Sequence, residues 1–139
     1  MTAKRSNVVK LSMAAFVTCL LYAISIALSA PEPTVTALMT KELTNIPGKE
    51  VVMLRVDYAP GAADSIHRHN AHGFVYVLEG SVVEQVKGGS PVTLTAGQAF
   101  YEGPDDVHVV GRNASQTRPA RILAILVKEK GTPALVPAE

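Results

Sequence analysis

Residues 61–80, GAADSIHRHNAHGFVYVLEG, carry both the structural and the chemical signals of this chain. The second half, Phe74 to Leu78, is a β-branched and aromatic run that ends in the turn pair Glu79-Gly80, the pattern of a strand and its exit. In the first half His67 and His69 stand two apart. Residues so spaced on a strand share a face, so both imidazoles aim into one space while Arg68 points away. Neutral imidazole nitrogen is a good ligand for first-row transition metals. Two such ligands do not make a tight site, and an isolated His-x-His also fits a hydrogen-bonded filler or a surface pair. A third ligand has to come from elsewhere. Asn70-Ala71-His72-Gly73 reads as a turn between two strands, and face parity is not kept through a turn. His72 is therefore open to two readings, a further ligand or a residue of the rim.

Outward from this stretch the β pattern continues. Strands are expected at Val35–Thr40, Val51–Tyr58, Ser65–His69, Phe74–Glu79, Ser81–Val86, Pro91–Thr95, Gln98–Tyr101, Val107–Gly111 and Arg121–Val127. Turn pairs such as Pro47-Gly48, Pro60-Gly61, Gly88-Gly89 and Ala96-Gly97 punctuate them. Past residue 30 no stretch shows a helical period, and closely spaced short strands indicate a sandwich or small barrel. Residues 128–139, with two prolines, read as an extended tail. The fourth histidine, His108, opens one of these strands after the turn Gly103-Pro104-Asp105-Asp106, and a crossing of that strand near His67 and His69 would complete a three-histidine site.

Gly61, five residues, His67-Arg68-His69, three residues, Gly73, six residues, Gly80 closely resembles the first signature motif of the cupin superfamily. Gly97, five residues, Gly103-Pro104-Asp105-Asp106-Val107-His108, with Asn113 beyond, is similar to the second. The two motifs and their strands span about residues 35–127. The resemblance implies an all-β fold, a single jelly-roll β-barrel, with the motifs on facing strands around one divalent transition metal (Fe, Zn, Ni, Cu or Mn). It carries His67, His69 and His108 over as ligands. The family's glutamate does not carry over, because Gly73 stands in its place. A site of three histidines without a carboxylate keeps more open positions and suits a hard metal such as manganese less well. His72 and Glu102 are the candidates for the missing ligand, Glu102 more naturally as a hydrogen-bond partner of one. The second motif also departs, with Pro104 one place late, Asp105 where glycine is usual, and Asn113 one residue late.

The front of the chain has a different character. Leu11 to Leu28 contains no charge, Lys4, Arg5 and Lys10 precede it, and Ala27-Leu28-Ser29-Ala30 follows it. A basic start, an apolar run and a small-residue exit make a secretory signal peptide over residues 1–29, cut after Ser29, with an uncleaved membrane anchor helix as the alternative. Either places the domain of residues 30–139 in the periplasm or outside the cell, with a membrane partner only if the anchor stays. That domain has ten Lys and Arg against twelve Asp and Glu, a net charge of −2, and so no electrostatic footprint for nucleic acid. The one cysteine, Cys19, lies in the leader, so disulfide and thiol chemistry are not expected of the domain. Leu123, Ile125 and Val127 alternate with Ile122, Ala124 and Leu126, a strand apolar on both faces, from which a homodimer is expected. Two functions fit: a metal-dependent enzyme, dioxygenase-like, on a small organic substrate, or a non-catalytic module that binds or senses a small molecule.

Overall fold

The structure, a computed structural model, describes residues 29–139. The leader-like segment lies outside the described residues, and with it the expected signal or anchor helix. The described chain is all β. In order come β1 (Thr34–Glu42), β2 (Lys49–Tyr58), β3 (His67–Arg68), β4 (Ala71–Glu79), β5 (Ser81–Val86), β6 (Val92–Thr95), β7 (Ala99–Glu102), β8 (His108–Asn113), β9 (Ala120–Glu129) and β10 (Val136–Pro137). They form two five-stranded sheets, β1-β2-β9-β4-β7 and β10-β3-β8-β5-β6, rather than one closed barrel. Every named pairing is antiparallel.

Alternation sets what faces what. On β9, Ala120, Ile122, Ala124, Leu126 and Lys128 are buried while the intervening Arg121, Leu123, Ile125 and Val127 are only half-buried. On β4, Ala71, Gly73, Val75 and Val77 turn inward and His72, Phe74, Tyr76 and Leu78 outward. Val75 pairs with Phe100 of β7, which packs on the core, while Tyr76 and Tyr101 face out. The main core therefore gathers Val56, Tyr58, Val75, Val77, Val82, Leu94 and Ile122 between the sheets. Burying one such aliphatic side chain is worth about 1.5–3 kcal/mol.

The β4–β5 turn depends on Gly80. Its φ is +71°, and a Cβ there would lie 2.5 Å from the Pro119 carbonyl oxygen. Asn113 is 1% exposed and fastens the connection after β8. Its Nδ2 donates to the carbonyls of Ala59 (3.1 Å) and Arg118 (2.7 Å), and its Oδ1 accepts from the Ser115 amide. Asn113 is thus an internal fastener of the backbone.

Three expectations are corrected. The strand expected over Ser65–His69 shrinks to His67–Arg68. The turn expected over residues 70–73 shrinks to Asn70, whose φ of 48° reverses the chain in one left-handed step, and β4 resumes at Ala71. The tail expected to be extended over residues 128–139 instead starts inside β9, turns at Lys130-Gly131 and pairs again: Val136 lies opposite Arg68 and Pro137 opposite His67, so β10 borders the strand that carries the first motif histidine.

Candidate metal centre

His67 on β3 lies opposite His108 on β8, and partners across an antiparallel pair share a face. Their rings are 4.9 Å apart, and the ring of His69 is 4.7 Å from that of His67. His67 and His108 are each 5% exposed, and Arg68 points to solvent as parity requires. The three histidines are thus brought together.

Two of them are fixed by backbone carbonyls. His67 Nδ1 donates to the Ser65 oxygen (2.7 Å), and His69 Nδ1 donates to the Ala134 oxygen (2.5 Å). Those bonds place the proton on Nδ1 of each ring and leave Nε2 with its lone pair. Burial lowers the pKa of both, to about 4 for His69, so both rings are neutral. The two Nε2 atoms nevertheless face each other at 3.2 Å. Two lone pairs at that distance repel unless a cation lies against both.

Two carboxylates complete the cluster. Glu84, on β5 opposite Gly111 of β8, is fully buried, and neither of its oxygens has an aligned hydrogen-bond partner. Its Oε2 is 2.6 Å from His108 Nε2, a close ion pair without hydrogen-bond alignment. Glu102, on β7 and 3% exposed, puts its oxygens 3.5 Å from His108 Nδ1 and 3.9 Å from His69 Nε2. Burial raises the Glu102 pKa to about 7. Burial opposes charge on His108, but Glu84 and then the charge of Glu102 outweigh it and lift its pKa to about 9. Ligand atoms of Glu84, Glu102 and His108 all lie within 4.8 Å of one another. Imidazole nitrogens beside two buried carboxylates, that of Glu84 unsatisfied, are the donor set of a divalent transition metal, so the residues fit such an ion.

The absence at Gly73 now has a spatial answer. Gly73 pairs directly with Glu102, and a Cβ on it would lie 3.6 Å from the Glu102 Cβ. Where the family's glutamate would stand, the cross-strand neighbour Glu102 supplies a carboxyl group beside the histidines. Of the two candidates for the missing ligand, Glu102 borders the histidines, and Glu84 borders them as well.

His72 does not join them. It stands on the outer face of β4, exposed, its Nδ1 2.7 Å from the Tyr101 hydroxyl and its ring stacked on Tyr101 with centroids 6.1 Å apart. Its reading as a further ligand is corrected: with only Asn70 left-handed, parity resumes at Ala71, and His72 falls on the side away from Gly73 and Glu102.

Asp64 adds a third acid near His108. Its amide donates to the Gly111 oxygen (2.7 Å) and its Oδ2 accepts from the Tyr58 hydroxyl (2.6 Å). Gly111 makes this possible, because a Cβ there would lie 2.2 Å from Asp64 Oδ2 and 2.7 Å from His108 Cε1. The cluster opens on a cavity of about 290 Å³ whose other walls are apolar, with Leu54, Val56, Val75, Ile122 and Leu135.

Sequence reasoning missed Glu84, Asp64 and the tail. Glu84 did leave a signal, an ionisable residue on the same strand parity as the core residue Val82. The tail matters because Ala134 holds His69 and Leu135 closes the cavity wall. Its root is tied down by the buried Lys128, whose Nζ donates to Glu50 (2.6 Å) and to the Glu129 carbonyl (3.0 Å). Ending the chain after Lys130 removes the acceptor that orients His69. Metal affinity is then expected to fall about 10–100-fold, the usual loss for a deleted partner of a ligand, with secondary structure retained. Competition against a chromophoric chelator measures this, and unchanged affinity would refute the role of Ala134.

The family model described as Cupin domain (Cupin_2) matches residues 54–126. Among solved structures, a conserved protein with a double-stranded β-helix domain from Klebsiella pneumoniae is 19% identical with a TM-score of 0.63, covering 80% of this chain and 88% of its own. A cupin domain from Bordetella pertussis is 22% identical with a TM-score of 0.57, covering 72% of this chain and 97% of its own. An oxalate oxidase in complex with glycolate is 23% identical with a TM-score of 0.60, covering 78% of this chain but 56% of its own. At these identities the likeness is one of fold. No curated protein matches the sequence.

Proposed function

The chain belongs to the cupin family, and from that footing we propose that it holds one divalent transition metal on His67, His69 and His108, with Glu84 and Glu102 as its carboxylates, and uses it on a small organic substrate in the adjoining cavity. The observation that carries this reading is the pair of Nε2 atoms at 3.2 Å, each ring already bonded through Nδ1 to a carbonyl. Bound there, a transition metal supplies Lewis-acid or oxygen-activating chemistry.

The residues around it have distinct parts. Ser65 and Ala134 orient two ligand rings through their carbonyls. Glu102, with a pKa near 7 in the metal-free cavity, can hold or release a proton at its carboxylate close to neutral pH. The apolar walls keep water from the substrate. The solved oxalate oxidase shares the fold and supports an enzymatic reading by analogy alone. We place the activity in the periplasm or outside the cell, on the leader-like pattern of residues 1–29.

Metal analysis of the purified protein tests the centre. About one metal per chain is expected, falling sharply in His108→Ala, whereas wild-type protein that stays empty when offered iron, zinc, nickel, copper and manganese would refute it. Oxygen uptake by the iron-loaded protein with a panel of small phenols and thiols tests the enzymatic part. A metal-loaded protein that turns over none of them would favour the non-catalytic binding reading.

A further inference from the structure

The charge of the cavity narrows what it can accept. The cavity beside the histidines adjoins a second chamber of about 320 Å³ that Glu32, Ser65, Ile66 and Pro137 help to line. Val35, Asp64, His67 and Leu135 border both, so the two spaces adjoin along one wall. Four carboxylates, Glu32, Asp64, Glu84 and Glu102, line the two chambers, and among the described residues no lysine or arginine lines either. The one side chain there that gains positive charge, His108, already faces Glu84 at 2.6 Å. The Tyr58 hydroxyl, the donor an incoming oxyanion could use, gives its proton to Asp64. Both oxygens of Glu84, which is 0% exposed, have no aligned hydrogen-bond partner.

An anion entering this space loses its water and meets acidic side chains, with no lysine, arginine or free hydroxyl to compensate. A metal does not reverse that, because Glu84 and Glu102 already offset its two charges and Asp64 remains. An uncharged or cationic molecule meets no such cost, and the apolar walls reward a hydrocarbon body. We infer that the cavity selects small, largely apolar molecules that are neutral or cationic, and rejects carboxylates such as oxalate or glycolate. This rests on the proposed function for the idea that the cavity holds the substrate, but the charge argument applies with or without a metal.

Benzyl alcohol, benzylamine and benzoate share one body and differ in charge, which makes them the probe set, with oxalate added. Each is titrated into metal-free and cobalt-loaded protein, read by thermal shift in both and by the cobalt visible spectrum in the second. Benzyl alcohol and benzylamine are expected to bind at least about tenfold more tightly than benzoate or oxalate in both forms. In Asp64→Asn the disadvantage of benzoate is expected to shrink by about tenfold. Benzoate or oxalate binding as tightly as benzyl alcohol would overturn the inference, as would failure of all four to bind. Failure of cobalt to load would sink the metal centre alone, since the rank order in the metal-free protein still decides this inference.

Discussion

Saturating zinc or nickel, at about a thousand times its dissociation constant, is expected to stabilise the folded chain by about 4 kcal/mol, and His67→Ala is expected to erase that gain. In a domain of this size such a gain is a rise in Tm on the order of 15 °C. His67 is the residue to remove because it stands between the other two, its Nε2 3.2 Å from that of His69 and its ring 4.9 Å from that of His108. Without it, the remaining histidines no longer converge on one ion. In the absence of metal the same substitution is expected to cost much less, because alanine also removes one of two nitrogens whose lone pairs oppose each other. His72→Ala is the matching control. It deletes an imidazole from the outer face and is expected to leave the metal-induced shift intact. Calorimetry of the three proteins with and without metal checks this. A wild-type protein that zinc and nickel leave unshifted, or an undiminished shift in His67→Ala, would contradict the proposed centre.

How much of this was legible in the sequence depends on how local each feature is. The strands were legible because alternation is a short-range signal: Phe74, Tyr76 and Leu78 against Val75 and Val77 announces a two-faced strand without any knowledge of its neighbours. His67 and His69 were also legible, though for a reason only partly right. Parity put both rings on one side, but β3 ends at Arg68, and His69 is held by a carbonyl 65 residues further along the chain. No local pattern announces that contact. His72 stayed open between ligand and rim because a four-residue turn and a single left-handed asparagine look alike in sequence yet differ in the parity they pass on. Glu102 could be noted as a nearby carboxylate, but its place opposite Gly73 is a matter of register between β4 and β7, which pairing alone determines. Glu84 required asking why a glutamate sits among Val82, Val83 and Val86 on a buried strand.

Raising the pH from 7 to 9 is expected to destabilise the metal-free protein by about 2 kcal/mol while the metal-saturated protein changes little. The effect comes from His108, lifted from 6.5 to about 9 by Glu84 and Glu102 against the opposing effect of burial. A histidine whose folded pKa is raised contributes stability that is fully present below its unfolded value and lost as pH climbs through the folded one. Below pH 7 the balance is different. Glu102, raised from 4.5 to about 7, also loses its contribution as pH rises, but His69, depressed from 6.5 to about 4, gains stability over much of the same range. The two oppose each other there, and above pH 7, where only the end of the Glu102 titration remains, His108 dominates. Metal binding requires His108 to give up its proton, so affinity strengthens with pH up to about 9. Once metal is bound, His108 is neutral in the folded and unfolded chains alike, and the slope vanishes. Urea unfolding at pH 7, 8 and 9, with chelator and with saturating metal, separates the two curves. Glu84→Gln supplies the decisive comparison, because it removes the charge that holds the proton on His108. Its metal-free stability is expected to vary much less over this range, and a wild-type curve equally flat with chelator present would show that His108 carries no such proton.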